Sequence, residues 1–131
     1  MRVVLDTHIV VYWCAEPDRL SAAQLHAVRT ISADNPAIVA DTTLWEIAAL
    51  VVAGRLKLDL PILEWLNRAT ARPLVRVAEI SPSIAAESHN LASWENGDPA
   101  DRLIVATARV YGAALLTNDG SIRDSGLVTV V

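Results

Sequence analysis

The sequence predicts an α/β fold in three layers, α/β/α, around a central and mainly parallel sheet. Three observations carry this prediction. Apolar runs of strand length alternate with longer segments of helical period, and right-handed crossovers turn that order into a parallel sheet with helices on both faces. The runs Val3-Val4-Leu5, Ala37 to Ala40 and Ala113 to Leu116 are continuous rather than alternating, as strands buried on both faces require. The 131 residues are 53% hydrophobic and 20% charged, which fits one compact domain over residues 1–131.

The elements follow in order. After the first strand, Ile9 to Trp13 continues as a short helix that stops before Pro17. Ser21 with Gln24 forms a capping box for a helix through about Ile31, and Asn35-Pro36 breaks it ahead of the Ala37 to Ala40 strand. A helix from Thr43 to Ala53 ends at Gly54, and Pro61 opens another through Ala71 that Pro73 closes. Leu74 to Ile80 alternates as a strand, and Ser81-Pro82 begins the helix that carries Glu87. Asp98-Pro99 starts a strongly apolar helix to Tyr111, Gly112 ends it, and Ala113 to Leu116 is a buried strand. Leu127 to Val131 reads as a final edge strand.

Composition excludes several classes. No apolar run approaches the ~18 residues of a membrane span, and Asp6 falls where a secretory apolar core would lie, so a cytoplasmic chain without membrane contact is expected. The single cysteine, Cys14, has no disulfide or metal-ligand companion and reads as a plain buried thiol. A net charge of −4 is unlike a general phosphate-tracking protein, so any basic surface must be local; Arg55 with Lys57, and Arg68, Arg72 and Arg76, form the two small groups. Gly-rich phosphate loops and nucleophile elbows are absent. His8, His26 and His89 lack metal spacing, and Trp13, Trp45, Trp65 and Trp94 read as core or interface anchors.

The chemistry lies in acids at strand ends and helix starts. Asp6 follows the first strand, Glu46 enters the helix after the second, Asp98 and Asp101 open the apolar helix, and Asp119 follows the Ala113 to Leu116 strand. Each has a structural explanation. Asp6 and Asp98 can cap helices, Thr43 with Glu46 has the pattern of a capping box, Asp101 sits where a helix dipole favours an anion, and Asn118-Asp119-Gly120 is an ordinary turn. Taken together they fall on one edge of a parallel sheet, where ligand crevices form. Two carboxylates about 4 Å apart repel by about 1 kcal/mol in water and about 4 kcal/mol at a dielectric near 20, so a gathered set binds a cation or takes up protons. Oxygen ligands alone point to Mg²⁺ or Mn²⁺, which activate water against a phosphodiester. Thr7, Thr117 and Asn118 flank the acids as candidates for orienting water or phosphate.

These residues also carry a resemblance. Leu5-Asp-Thr-His8, Leu44-Trp-Glu-Ile-Ala48, Asp98-Pro-Ala-Asp-Arg-Leu-Ile-Val-Ala-Thr-Ala108 and Thr117-Asn-Asp119 resemble the four signatures of PIN-domain ribonucleases, in the order and spacing of the VapC-type toxins of bacterial toxin–antitoxin pairs. The resemblance spans essentially the whole chain. It implies a PIN domain whose quartet Asp6, Glu46, Asp101 and Asp119 binds Mg²⁺ or Mn²⁺ and cleaves RNA, with Asp6 and Asp101 the best-placed ligands and Asp98 an extra acid. It further implies a homodimer and a VapB-type antitoxin, basic where it covers the acids, in a higher-order complex. Ala100 and Ile122 stand where that branch often has aromatic residues, which bears on substrate fit more than on metal ligation. The rival reading is a noncatalytic PIN-like interaction module whose acids serve only as caps. A Mg²⁺-dependent phosphatase is disfavoured because no Asp-x-Asp follows the first strand.

Overall fold

The computed structural model describes every residue except 92, 93 and 96. Four parallel strands, β1 (Val3–Leu5), β2 (Ala37–Ala40), β3 (Val75–Ala78) and β4 (Ala114–Leu116), lie in the order β3-β2-β1-β4. Val4 pairs with Ile38 on one side and Leu115 on the other, so the first strand of the chain is central in the sheet.

Alternation along these strands divides the core in two. Val3, Leu5, Ala37, Val39, Val75 and Leu116 point to one face, and Val4, Ile38, Ala40, Ala78 and Leu115 to the other. The first face is covered by α1 (Thr7–Ala15), α2 (Ala22–Arg29), Ile47 of α3 (Asp41–Val52) and Trp65 of α4 (Ile62–Ala69). The second is covered by Ile104, Val105 and Ala108 of α6 (Pro99–Tyr111), by Trp94, and by Ile122 of α7 (Gly120–Ser125), while α5 (Pro82–His89) packs on α6. Both faces are buried, which is why the strand sequences read as continuous apolar runs.

Local signals set most boundaries. Ser21 and Gln24 form the full capping box, with hydrogen bonds of 3.0 and 3.1 Å in both directions. Asp98 accepts the Asp101 N–H with Pro99 at the first helical position, and Gly112 ends the helix in the left-handed region at φ 59°.

Several expectations need correction. The helix after β2 begins at Asp41 rather than Thr43, because Asp41 Oδ2 accepts the Ile80 N–H at 3.1 Å and ties the helix start to the chain leaving β3. That same bond takes Ile80 out of the strand, which ends at Ala78. The first helix is longer than Ile9 to Trp13, since Asp6 caps it at Thr7. Asn118-Asp119-Gly120 leads into the short helix α7 rather than a simple turn. The final edge strand reduces to a parallel bridge between Val130 and Leu115, because Gly126 ends α7 in the left-handed region and Arg109 Nη1 holds the Leu127 carbonyl at 2.6 Å. Cys14 is exposed rather than buried, in the last turn of α1 where the helix runs beyond the core. Trp65 and Trp94 are core residues, whereas Trp45 is 73% exposed.

Candidate acidic metal site

The carboxyl ends of β1 and β4 bring the first and last acids together. Asp6 is the N-cap of α1, accepting the Thr7 N–H on Oδ1 at 2.8 Å and the Thr117 hydroxyl on Oδ2 at 2.6 Å. The fully buried Thr117 oxygen in turn accepts the Asp119 N–H at 3.0 Å, so one hydroxyl joins two acidic segments from opposite ends of the sequence. Asp119 caps α7 through the Ile122 N–H at 3.0 Å, and Arg123 Nη1 holds the Thr117 carbonyl at 2.9 Å.

Glu46 reaches the same place from α3. It does not return to the Thr43 amide as a capping box would require; the helix starts earlier, without a side-chain cap. Instead Thr7 Oγ1 donates to Glu46 Oε1 at 2.7 Å. Thr7 and Thr43 hydroxyl oxygens are 3.2 Å apart, and since the Thr7 proton is committed to Glu46, Thr43 is the donor between them. Asp98 and Asp101 arrive from the start of α6. Asp98 is occupied as a cap, while the Asp101 carboxylate has no hydrogen-bond donor among the described residues.

All five acids, with Thr7, His8, Tyr12 and Asn118, line one cleft of about 330 Å³. Every acid singled out in the sequence therefore lines the cleft, as do Thr7 and Asn118 of the three flanking residues; Thr117 reaches it through Asp6, to which its hydroxyl donates. Tyr12 and Gln24 were not anticipated. Tyr12 lies one turn beyond His8 on α1, a spacing that places both on one face. Gln24 is 1% exposed, and besides its capping role its amide donates to Asn118 Oδ1 at 2.8 Å and to the Val131 carbonyl at 3.1 Å. With that oxygen engaged, the Asn118 amide nitrogen is the part of the side chain free to donate into the cleft.

Electrostatics register the crowding. Burial is the main cause that pushes Asp101 up to about 7, and Asp98, Asp6, Asp119 and Glu46 each push it further in the same direction. Asp6 is raised chiefly by burial, against the lowering effect of its bonds to Thr117 and Thr7. Glu46 is raised by burial, opposed by Thr7 and reinforced by Asp6 and Asp98. These shifts describe anionic oxygens short of positive charge.

A hard divalent cation fits that need. The donors are carboxylate, hydroxyl and amide oxygens, the set that suits Mg²⁺ or Mn²⁺. Among the described residues no three acids close directly around a common point. Asp6, Asp98 and Asp119 each spend an oxygen on a helix cap, and Glu46 spends one on Thr7. Such an arrangement suits an ion that keeps several waters and takes one or two carboxylates directly, which is the habit of Mg²⁺.

The PIN domain family matches residues 3–126. Over 121 residues, 92% of this chain and 89% of the relative, the sequence is 42% identical to a Mycobacterium tuberculosis protein named Ribonuclease VapC22. The fold is similar to that of VapBC2 from Rickettsia felis bound to a DNA fragment from its promoter, with a TM-score of 0.73 and 15% identity over 100% of this chain and 98% of that one. It is also similar to FitAcB from Neisseria gonorrhoeae, with a TM-score of 0.66 and 19% identity over 98% and 95% of the two chains. At those identities the two structures speak for the fold.

Proposed function

The chain belongs to the PIN-domain family, and we propose that it is a Mg²⁺- or Mn²⁺-dependent endoribonuclease, the toxin of a VapBC-type toxin–antitoxin pair, built as one domain over residues 1–131. The observation that carries the chemical reading is the mutual field of the acids: Asp98, Asp6, Asp119 and Glu46 all act on Asp101 across one cleft. Helix capping accounts for Asp6, Asp98 and Asp119. It does not account for Glu46 or Asp101: neither is a cap, and both line the cleft, Glu46 turned there by the Thr7 hydroxyl and Asp101 with no hydrogen-bond donor among the described residues, which disfavours the noncatalytic module.

In this reading Asp6 and Asp101 hold the metal directly, Asp119 and Glu46 hold it through water, Glu46 also orienting the attacking water, and Asp98 adds negative charge at the rim; among the described residues no three acids close on one point, which puts Asp119 a water away from the ion rather than on it. The bound ion supplies the charge that activates water and offsets the developing charge on the phosphodiester. The chain supplies position. Thr117 fixes Asp6, Thr7 fixes Glu46, and the Asn118 amide is aligned by Gln24 to donate to a phosphate oxygen or to water. Because Asp6, Glu46, Asp98 and Asp119 are each anchored by a backbone or hydroxyl donor, their oxygens are preorganised before substrate arrives.

The acidic cleft and the VapC name of the relative support a basic VapB-type antitoxin as the inhibitory partner, and homodimerisation with assembly into a larger complex is part of the same reading. A cytoplasmic location is part of the same reading; among the described residues no helix is long and apolar enough to cross a membrane. The test is cleavage of total RNA by purified protein in Mn²⁺, with EDTA and Asp6→Asn/Asp101→Asn as controls. Metal-dependent cleavage lost in the double variant supports the reading; equal cleavage by the double variant overturns the site assignment, and no cleavage by the wild type overturns the activity.

A further inference from the structure

The acidic cleft continues into a groove of different character. His8 and Tyr12 line the cleft and also an adjoining groove of about 260 Å³, whose other walls include Arg19, Leu50, Arg55 and Leu56. The Arg19 guanidinium lies 4.7 Å from the centroid of the Tyr12 ring, and the His8 and Tyr12 rings are 6.3 Å apart at a tilt of 51°. Arg19 also pairs with Glu16 at 3.3 Å, but the two side chains are 60% and 53% exposed, so water weakens the pair and leaves the guanidinium exchangeable. Arg55 has no carboxylate partner among the described residues. Its position is set by Gly54, whose φ of 73° turns the chain so that the Arg55 N–H returns to the Leu50 carbonyl at 2.9 Å.

We propose that this groove is the subsite for the RNA strand beside the cleaved bond: a single-stranded segment leaves the acids over His8 and Tyr12, stacks a base on the Tyr12 ring, and rests its flanking phosphates on Arg19 and Arg55. The inference rests on the ribonuclease reading and deepens it by naming the groove and the residues that hold the strand. A cation among the acids meets one phosphodiester, whereas the neighbouring phosphates face a chain of net charge −4. They need local positive charge next to the cleft, and the groove supplies it: the guanidiniums of Arg19 and Arg55 outweigh the single carboxylate, Glu16, that lines it with them. An aromatic ring beside an arginine plane is the arrangement that accepts unstacked bases, and a duplex keeps those base faces hidden. Leu50 and Leu56 give the base edge an apolar wall.

The test separates the groove from the chemistry. Anisotropy of a 5′-fluorescein single-stranded RNA of about twelve nucleotides reads the groove over a salt series, in Ca²⁺, which fills oxygen sites without the strict octahedral order of Mg²⁺. Cleavage of total RNA in Mn²⁺ reads the ribonuclease activity separately. Arg19→Ala and Arg55→Ala are each expected to weaken binding and to flatten the slope of log affinity against log salt by about 0.7, the value for one phosphate contact on a single strand. Arg55→Lys should restore the slope. Tyr12→Leu should weaken binding about tenfold with the slope kept, as loss of one stacked base predicts. The Mn²⁺-induced rise in melting temperature, retained in the two arginine variants, distinguishes a lost contact from a lost fold. A wild type that cleaves RNA while all three variants bind just as it does overturns the groove, leaves the ribonuclease reading standing, and gives the groove to a protein segment. A wild type that neither binds nor cleaves overturns both.

Discussion

Thr7 donates its hydroxyl proton to Glu46 across 2.7 Å, joining the start of α1 to the second turn of α3 over 39 positions of sequence. The same residue gives its backbone N–H to Asp6. One threonine therefore orients two acids of the cleft, and it receives a hydrogen bond from the buried Thr43 hydroxyl in return.

Replacing Thr7 by valine keeps the shape and removes the hydroxyl. Glu46 loses its anchor and Thr43 loses its acceptor, so stability should fall by about 1–3 kcal/mol. Metal affinity or activity should fall by about 10–100-fold, the usual effect of removing a residue that orients a ligand. Thr7→Ser should recover most of both. Urea unfolding and Mn²⁺ titration measure the two effects, and equal Mn²⁺ affinity in Thr7→Val would remove Thr7 from the site.

For Asp6→Asn the expected result is a folded protein without activity. Asparagine caps a helix about as well as aspartate, and the Thr117 hydroxyl can turn to meet its amide. Since burial and Asp119 raise the carboxyl in the folded state, removing its charge relieves strain in the metal-free protein. The metal-free melting temperature should then stay within about 4 °C of wild type or exceed it, while the gain on adding Mn²⁺ disappears. A variant that retains the Mn²⁺ gain would show that the ion sits elsewhere.

The pH dependence has a definite sign. The Asp101 carboxyl is pushed up to about 7 in the folded chain from its ordinary 3.8, so between roughly pH 4 and pH 7 the folded state holds more protons than the unfolded one. Its contribution to metal-free stability is therefore fully present below that window and is lost as pH rises through it. Thermal unfolding in EDTA should show that loss, and Asp101→Asn should flatten it. Mn²⁺ competes with the same proton, so its affinity should decline as pH falls below about 7.

Gln24→Leu probes support beneath the cleft. It leaves the Ser21 N–H, Asn118 Oδ1 and Val131 carbonyl without their partner and should cost about 1–3 kcal/mol in urea unfolding. Cleavage should drop as well, through a freed Asn118. A loss of stability with unchanged kcat and KM would confine Gln24 to the fold.

Much of this arrangement was legible in the sequence because it is local. The continuous runs at Val3, Ala37 and Ala113 identify buried parallel strands, and Asp98-Pro99 and Ser21 to Gln24 act as written. Asp6 and Asp119 were legible as acids leaving strands, a position that parallel topology turns toward one crevice. Glu46 shows where local pattern misleads. Its spacing from Thr43 matches a capping box, but a hydroxyl brought by the first helix claims the carboxylate and the helix begins two residues earlier. Gln24 satisfies its local pattern and still has a second task, visible only once β4 places Asn118 over it. The C-terminal segment is an edge element only at its end: residues 129–131 pair in parallel with β4 through backbone hydrogen bonds to Leu115 and Thr117, whereas the Leu127 carbonyl is drawn to Arg109, a contact that no local pattern announces.

The strand order also fixes when the cleft can exist. β1 lies in the middle of the sheet, but its outer neighbour β4 and the hydroxyl that holds Asp6 come far later in the chain, Thr117 standing 111 positions after Asp6. A ribosome carrying the first ninety or so residues holds Asp6 and Glu46 without Asp101, Thr117 or Asp119. The acids can meet only once the segment through Asp119 has been made, so any shorter nascent chain carries an incomplete cleft.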